Sequence, residues 1–455
     1  MSSSSSSPRK KEQPQPAPRL WSAYLNRLIA CEISATTRYY DRVIQWLPFP
    51  HDKGFLLSNI ETKAKATITE REVFPDLTGE TEKRTAILLN ATINHSFDIQ
   101  KILTQLKEKL SRTSRLVIVA YNPYLGAFYR VANAFGIRRA PLPTTFVTRT
   151  DLNNLARLSG FEVIRYRTVG YAPWRLAGVG TFLNWVLPVV PWIRSVGFAS
   201  VITLRPHIAS SRRPSLTIII PARNEKGNIE SAVNRIPDLG CKSEIIFVEG
   251  HSNDGTWEEI QRVVTAYSSK LDLKALRQEG KGKADAVRLG CAQASGDLLT
   301  ILDADLTMPP ELLGRFYEAY SQGLADFVNG TRLVYPMEGN AMRPLNRLGN
   351  VFFAKALSSV LGTRLGDSLC GTKLFARHDY SRMKEWRRNF GDFDPFGDFE
   401  LLFPASELAL GVVDIPIRYR ARVYGSTNIS RFRHGVMLLR MTLFALFHIK
   451  MGKTA

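Results

Sequence analysis

Two aspartates close an apolar run, Leu298-Leu299-Thr300-Ile301-Leu302 leading into Asp303-Ala304-Asp305. The run reads as a buried parallel strand, and Met308-Pro309-Pro310 turns the chain out of it. Side chains alternate along a strand, so Asp303 and Asp305 are expected on one side with Ala304 pointing away. Two hard oxygen donors at a strand tip suit Mg²⁺ or Mn²⁺, an ion that bridges a diphosphate. The crevice beyond the carboxyl ends of a parallel sheet is also where open α/β folds bind ligands. A solvated turn acid beside an N-cap reads the same way, so the triplet needs its context.

The elements that must position those acids recur upstream. Leu216-Thr217-Ile218-Ile219-Ile220 is a β-branched strand followed by Pro221-Ala222-Arg223-Asn224-Glu225. Glu244-Ile245-Ile246-Phe247-Val248 is a second strand, ending in the polar loop Glu249-Gly250-His251-Ser252-Asn253-Asp254-Gly255-Thr256. Gly280-Lys281-Gly282-Lys283 then opens a helix over residues 284–294, and Gly296-Asp297 leads back to the aspartates. Strand–acid–helix units in succession predict a Rossmann-like α/β sandwich, with Glu225, Glu249, Asp303 and Asp305 gathered along one sheet edge. His251, in a Gly/Ser/Asn/Asp turn, reads as a turn residue rather than a ligand.

From about Ser215 to His434 the chain resembles a family 2 glycosyltransferase of the GT-A fold, nearest in pattern to dolichol- and polyprenyl-phosphate sugar synthases. The resemblance rests on Pro221 to Glu225, Glu249, the Gly-Lys segment, Asp303-Ala304-Asp305, Gly330-Thr331-Arg332, Asp367-Ser368-Leu369-Cys370-Gly371-Thr372-Lys373-Leu374-Phe375, and Arg422-Val423-Tyr424-Gly425-Ser426, in that order. It implies that Pro221, Ala222, Arg223 and Glu225 line a base and ribose pocket and that Glu249 bonds base or ribose. Lys283, Asp303 and Ala304 join the nucleotide-sugar contacts, Asp305 holds the metal with Asp303 beside it, and Arg332 and Arg422 meet diphosphate or acceptor phosphate. Asp398 or Glu400 is expected beside the sugar. Lys373, Arg422 and Asn428 fall at acceptor-phosphate positions. The chain departs from the pattern in three places: Glu249 stands for Asp, Lys373 for Arg and Asn428 for Lys. Lys373 thereby exchanges a bidentate fork for a point charge.

These residue types suit the implied chemistry. A departing nucleoside diphosphate gains charge as the glycosidic bond breaks, and a cation on Asp305 with nearby guanidinium groups stabilises it. A phosphate acceptor is a nucleophile at neutral pH without a base, whereas an alcohol needs one, Asp398 first and Glu400 next. Arg418, Arg420, Arg422, Arg431 and Arg433 crowd one short stretch, which suits an anionic acceptor. The expectation is an inverting, metal-dependent hexosyltransferase acting from a nucleotide-sugar onto a polyprenyl phosphate. A glycan or glycolipid hydroxyl as acceptor, and a non-catalytic scaffold of the same fold, stay open.

The 455-residue chain carries a formal net charge of +20, which attracts anionic membranes, nucleotide phosphates or nucleic acid. It shows no zinc-finger spacing, RNP-type aromatic motif or basic heptad region, so nucleic acid is not the expected partner. Cys31, Cys241, Cys291 and Cys370 are scattered without a CxxC pair, as in a reducing cytosol. Residues 1–18, rich in Ser, Pro and Lys/Arg, are expected to be a disordered tail, and no apolar stretch follows to make a signal peptide.

The amino-terminal half predicts strands at 85–90, 115–120 and 161–164, with helices at 97–110 and 150–158. The order resembles the carboxyl half of a class I S-adenosylmethionine-dependent methyltransferase, in which a helix opening on Asp-Leu (here Asp151-Leu152) precedes a Gly-Phe strand (Gly160-Phe161). Before Thr85 only Gly54 and Gly79 stand, far apart, with no glycine-rich cofactor turn. Residues 19–210 are therefore expected to form a truncated methyltransferase-like α/β domain serving as scaffold or docking platform, or half of a split site. Residues 214–434 make the GT-A domain. The uncharged stretch 176–193, interrupted by Pro188 and Pro191, reads as an interfacial hairpin or a marginal span. Residues 435–455 read as an amphipathic helix, on a membrane or packed on the catalytic domain. The expected location is the cytoplasmic face of a membrane, peripheral or monotopic.

Overall fold

The structure, a computed structural model, describes residues 20–47, 54–69, 72–138, 141–336, 338, 344–388, 397–422, 424 and 431–453. The expected tail and Asn428 lie outside the described residues.

Two sheets carry the chain. The first contains β1 (Arg42–Trp46), β2 (Lys65–Ile68), β3 (Thr85–Asn90), β4 (Arg115–Tyr121), β5 (Phe161–Val169) and β6 (Ala199–Pro206), in the order β2-β1-β3-β4-β6-β5. Its ladders are parallel except that β6 runs antiparallel to both β4 and β5. The second contains β7 (Leu216–Ala222), β8 (Ser243–Glu249), β9 (Asp272–Arg277), β10 (Leu298–Ile301), β11 (Phe327–Thr331), β12 (Lys373–Ala376) and β13 (Val412–Pro416). Their order is β13-β11-β12-β10-β7-β8-β9, with β12 antiparallel to its neighbours β10 and β11.

Alternation along β7 explains why it is buried on both faces. Leu216, Ile218 and Ile220 enter the apolar layer on one side, with Leu313, Phe316 and Tyr317. Ile219 enters the other, with Ile246 and Leu299. That second layer also takes Val117, Val119 and Val201 from the first sheet and Leu402 and Phe403 from the helix Phe399–Glu407, so the two sheets share it. A third layer covers the far face of the first sheet through Ile87, Leu116 and Ile118.

Ion pairs also join the sheets. The Arg84 Nε and Nη2 donate to Asp379 at 2.6 and 2.8 Å. Arg115 Nη2 donates to Asp326 Oδ2 at 2.5 Å, and Arg205 Nη1 lies 3.4 Å from Asp326 Oδ1. Burial alone would raise the Asp326 carboxyl, but Arg115, Arg205 and Arg112 outweigh it and hold the group far below the usual range. Arg115 Nε and Arg205 Nη2 donate to the carbonyls of Ala409 and Leu324, so these guanidinium groups meet several partners at once.

The expectation that strand alternation aligns Asp303 and Asp305 needs correcting. β10 ends at Ile301, and both aspartates lie on the turn beyond it, where Leu306 takes φ +53°. The turn, not the pleat, sets their directions. The expected helices 97–110 and 284–294 occupy Ile99–Lys107 and Lys283–Gln293. Among the described residues no helix is long and apolar enough to cross a membrane. The stretch 176–193 breaks into a short turn at Leu176–Gly178, the helix Val179–Val186 and a turn at Leu187–Val189. At the end, the helix Arg431–Ala445 runs into a wider turn, Leu446–Lys450. It buries Leu438, Met441 and Ala445 in the shared layer and leaves Leu439 and Leu443 exposed.

Candidate active site

The carboxyl ends of β7, β8 and β10 open onto one cleft, and backbone bonds stitch their loops together. Gly250 N–H donates to Ala222 O at 2.9 Å, Asn224 N–H to Ser252 Oγ at 3.0 Å, and Glu225 N–H to Thr256 Oγ1 at 2.9 Å. Asn224 and His251 both adopt positive φ in these loops, and the His251 ring lies 2.9 Å from Gly280 O, a structural role in keeping with its reading as a turn residue. Glu249 is buried, accepts from Ser252 N–H, and lies 3.5 Å from Arg277 Nε. Arg277 in turn stacks over Trp257 at 4.4 Å. Pro221 is half-buried and Arg223 exposed beside them.

Arg422 ties two of the expected acids together. Its Nη1 donates to Glu225 Oε1 at 3.1 Å and its Nη2 to Asp305 Oδ2 at 2.7 Å. Asp305 Oδ1 also accepts from Thr307 N–H and Oγ1–H at 3.1 and 2.8 Å. Burial pushes the Glu225 carboxyl up to about 7, against the pull of Asn228 and Arg422. Tyr424 OH donates to Asp254 Oδ2 at 3.2 Å, which brings Tyr424 against the loop that follows β8.

Deeper in the cleft Asp303 pairs with Lys283. Burial raises the Asp303 carboxyl, but Lys283, Lys373 and Arg332 together bring it below its ordinary value, and Lys283 is held protonated by Asp303 and Asp398. Gly371 backs this pair. A Cβ there would fall 2.9 Å from Asp303 Oδ1 and closer still to Asp303 Oδ2 and Lys283 Nζ. Lys373 is fully buried and donates to Asp398 Oδ1 at 2.5 Å.

Glu400 is turned away from its expected place, and Arg332 is held by an acid. Glu400 faces Arg288 Nε at 2.9 Å and Arg387 Nε at 3.3 Å rather than the Lys283–Asp303 pair, because residues two apart on a helical turn point to different sides. Arg332 forks onto Asp367 at 2.6 and 2.9 Å and stacks 5.3 Å over Tyr419. Asp367, Gly371, Asn228 and Tyr419 were not assigned roles from sequence. Asp367 and Gly371 did lie within a quoted motif, which was the available signal. Arg431 and Arg433 begin the last helix, and their side chains lie outside the described residues.

Among the described residues no three His, Cys, Asp or Glu side chains converge as a metal site. Asp303 and Asp305 therefore offer two carboxylates, the donor set of a hard cation that takes its other ligands from phosphate and water. Each carboxylate now faces a side-chain cation, Lys283 or Arg422, so the turn already stabilises positive charge at both oxygens.

Residues 217–383 match the family Glycosyl transferase family 2. The dolichol-phosphate mannosyltransferase of Pyrococcus furiosus is 38% identical over 26% of this chain and 33% of its own length. The dolichyl-phosphate hexose transferase of Haloferax volcanii is 29% identical over 49% of this chain and 90% of its own. The undecaprenyl-phosphate 4-deoxy-4-formamido-L-arabinose transferase of Aeromonas hydrophila is 29% identical over 36% of this chain and 49% of its own. The chain thus spans a third of the first of these relatives and about half of the last. A crystal structure of glucosyl-3-phosphoglycerate synthase from Mycobacterium tuberculosis, with Mn²⁺, UDP and glucosyl-3-phosphoglycerate, covers 52% of this chain and 81% of its own at 18% identity and a TM-score of 0.38. The sheet, parallel except at β12, gathers acids beyond the carboxyl ends of β7, β8 and β10 in an α/β fold. The chain carries a glycosyl transferase family 2 domain.

Proposed function

We propose that the protein is an inverting, divalent-metal-dependent hexosyltransferase that moves a sugar from a nucleotide-sugar to a polyprenyl phosphate. The observation that carries this reading is the Glu225–Arg422–Asp305 bridge beside the Asp303–Lys283 pair. It sets acids for a cation and cations for a diphosphate in one cleft. The three relatives named above are lipid-phosphate sugar transferases by name, which supports the acceptor class.

An oxygen of the acceptor phosphate attacks the anomeric carbon. The new C–O bond forms as the bond to the nucleoside diphosphate breaks, and the electron pair leaves with the diphosphate. A phosphate monoester is already ionised at neutral pH, with a second pKa of about 6, so no base is required. Asp398 is held by Lys373 Nζ, an arrangement for positioning rather than proton removal, which favours phosphate over a hydroxyl acceptor. Asp305 and Asp303 would hold Mg²⁺ or Mn²⁺, which supplies charge stabilisation to the departing diphosphate. Arg422 releases its two acids and turns to phosphate, while Glu225, Glu249, Pro221 and Arg223 enclose the nucleoside. Arg332, oriented by Asp367, faces the same charge.

The first sheet is read as a truncated methyltransferase-like scaffold. Its support is the helix Arg149–Leu158, opened by the Thr148–Asp151 capping box, and the strand beginning at Phe161. A lipid acceptor places the enzyme at the cytoplasmic face of an anionic membrane, peripheral or monotopic. Incubation with radiolabelled UDP- and GDP-hexoses, Mn²⁺ and polyprenyl phosphate is expected to move label into the organic phase. Label confined to the aqueous phase with every donor would sink the reading.

A further inference from the structure

We propose that residues 174–196 of the amino-terminal half form an aromatic wedge that seats the protein on an anionic lipid bilayer, together with the helices Pro344–Leu361 and Arg431–Ala445. The wedge is fixed from within. Asn184 Oδ1 accepts from Tyr171 N–H at 2.7 Å and Ala172 N–H at 3.0 Å, and its Nδ2 donates to Ala172 O at 2.8 Å. Its outer side is apolar: Trp192 is 92% exposed, Phe182 and Leu176 59%, and Trp174 53%. A side chain as large as Trp192 left in water forfeits the burial that drives folding, so a rigid frame presenting several of them points to a partner.

The patch continues into the carboxyl end. Trp185 stacks on Phe447 at 6.2 Å and 19°, Gly452 N–H donates to Trp185 O at 2.9 Å, and Arg167 Nη2 donates to Lys450 O at 2.7 Å. The helix Arg431–Ala445 adds exposed Leu439 and Leu443. The helix Pro344–Leu361 packs against it and adds exposed Leu348 and Phe352. Residues 174–196, 344–361 and 431–453 contain no Asp or Glu, yet they carry Arg175, Arg194, Arg347, Lys355, Arg431, Arg433, Arg440, Lys450 and Lys453. Segments that present tryptophan and phenylalanine and whose own charges are all cationic complement lipid with anionic headgroups. Among the described residues no helix is long and apolar enough to cross a membrane, and the proposed contact is interfacial.

Chain continuity relates this face to the cleft. The helix Pro344–Leu361 lies in sequence between Arg332 and Asp367, and the helix Arg431–Ala445 follows Arg422 and Tyr424. The Arg84–Asp379 and Arg115–Asp326 pairs couple the wedge's sheet to the family 2 domain, so seating the wedge orients the cleft. The proposal rests on the lipid-acceptor reading only for its purpose, and its deciding measurement, vesicle binding, uses neither donor nor acceptor.

The full chain is floated with vesicles of phosphatidylcholine, and with vesicles of phosphatidylcholine and phosphatidylglycerol in equal parts. Binding is expected to the anionic vesicles alone and to weaken with salt. Trp192→Ser with Phe182→Ser is expected to lower the bound fraction by about tenfold or more at unchanged melting temperature, and Trp192→Ser alone by a smaller factor. Transfer to a short-chain polyprenyl phosphate in detergent is expected to be unchanged in both variants. Equal binding of wild type and double variant overturns the proposal. So does a dimer in solution that the double variant dissociates, since a second copy would then cover the face. Vesicle binding without any sugar transfer would overturn the functional reading and leave the wedge standing.

Discussion

Gly371→Ala isolates the geometry of the Asp303–Lys283 pair from every other property of the fold. Gly371 has no positive φ, so alanine fits its backbone and the only consequence is the added methyl. That methyl would stand 2.9 Å from Asp303 Oδ1 and nearer to Oδ2 and to Lys283 Nζ. Ordinary contact between such atoms is about 3.5–4 Å, so the aspartate must retreat by roughly 1 Å. Lys283 can swing on its long stem, but Asp303 has one methylene and sits on a tight turn. Misplacement of a site group by about 1 Å costs on the order of 100-fold in rate. Overpacking of this size costs about 1–3 kcal/mol of stability, a fall of several degrees in melting temperature. The assay is kcat for sugar transfer at saturating Mn²⁺ and donor, with thermal unfolding alongside. A folded Gly371→Ala enzyme retaining the parental kcat would refute the reasoning.

Further outcomes follow from the same pairs. Asp326→Asn strands the Arg115, Arg205 and Arg112 guanidinium groups without their shared counter-charge and is expected to cost about 3–5 kcal/mol in denaturant unfolding; a loss under about 1 kcal/mol would contradict the network. Glu225, lifted from its ordinary 4.5 to about 7, binds a proton in the folded state that the unfolded chain has released. Stability from this group is therefore full below the unfolded value and declines as pH rises from about 4.5 to 7, by up to about 3 kcal/mol. Glu225→Gln should flatten that part of the stability profile relative to the parent, and identical slopes would count against it. Glu400→Gln, which loosens Arg288 and Arg387, is expected to lower the melting temperature while leaving kcat within about threefold. A larger fall in kcat would restore Glu400 to the sugar site.

The catalytic sheet was legible where burial writes a continuous apolar run, as in β7 and β8. β9 was missed because Asp272–Arg277 is a half-buried edge strand whose charged residues break the run. The helix Leu20–Thr37 and strand β1 escaped notice for a different reason: the helix has no acidic first turn or basic last turn to mark its ends, and Arg42–Trp46 is only five residues long. In the site, motif order located the acids but could not assign partners. Arg422 meets residues 197 and 117 positions away, and no local spacing encodes such pairings. Nothing in the sequence singled out Arg84, Arg115 and Arg205, yet all three are fully buried because counter-charges and carbonyls come to them from the other half of the chain. Asp398 was expected first and Glu400 next, and the helical turn sends the two side chains to different partners.

The most direct measurement is donor binding and transfer by the parent and Asp305→Ala proteins, by calorimetry and label transfer, with Mn²⁺ and again after chelation. The parent should bind one nucleotide-sugar and transfer hexose only with the ion, and both responses should vanish when Asp305 is gone. Transfer at the original rate without metal, or without that carboxylate, would contradict the account.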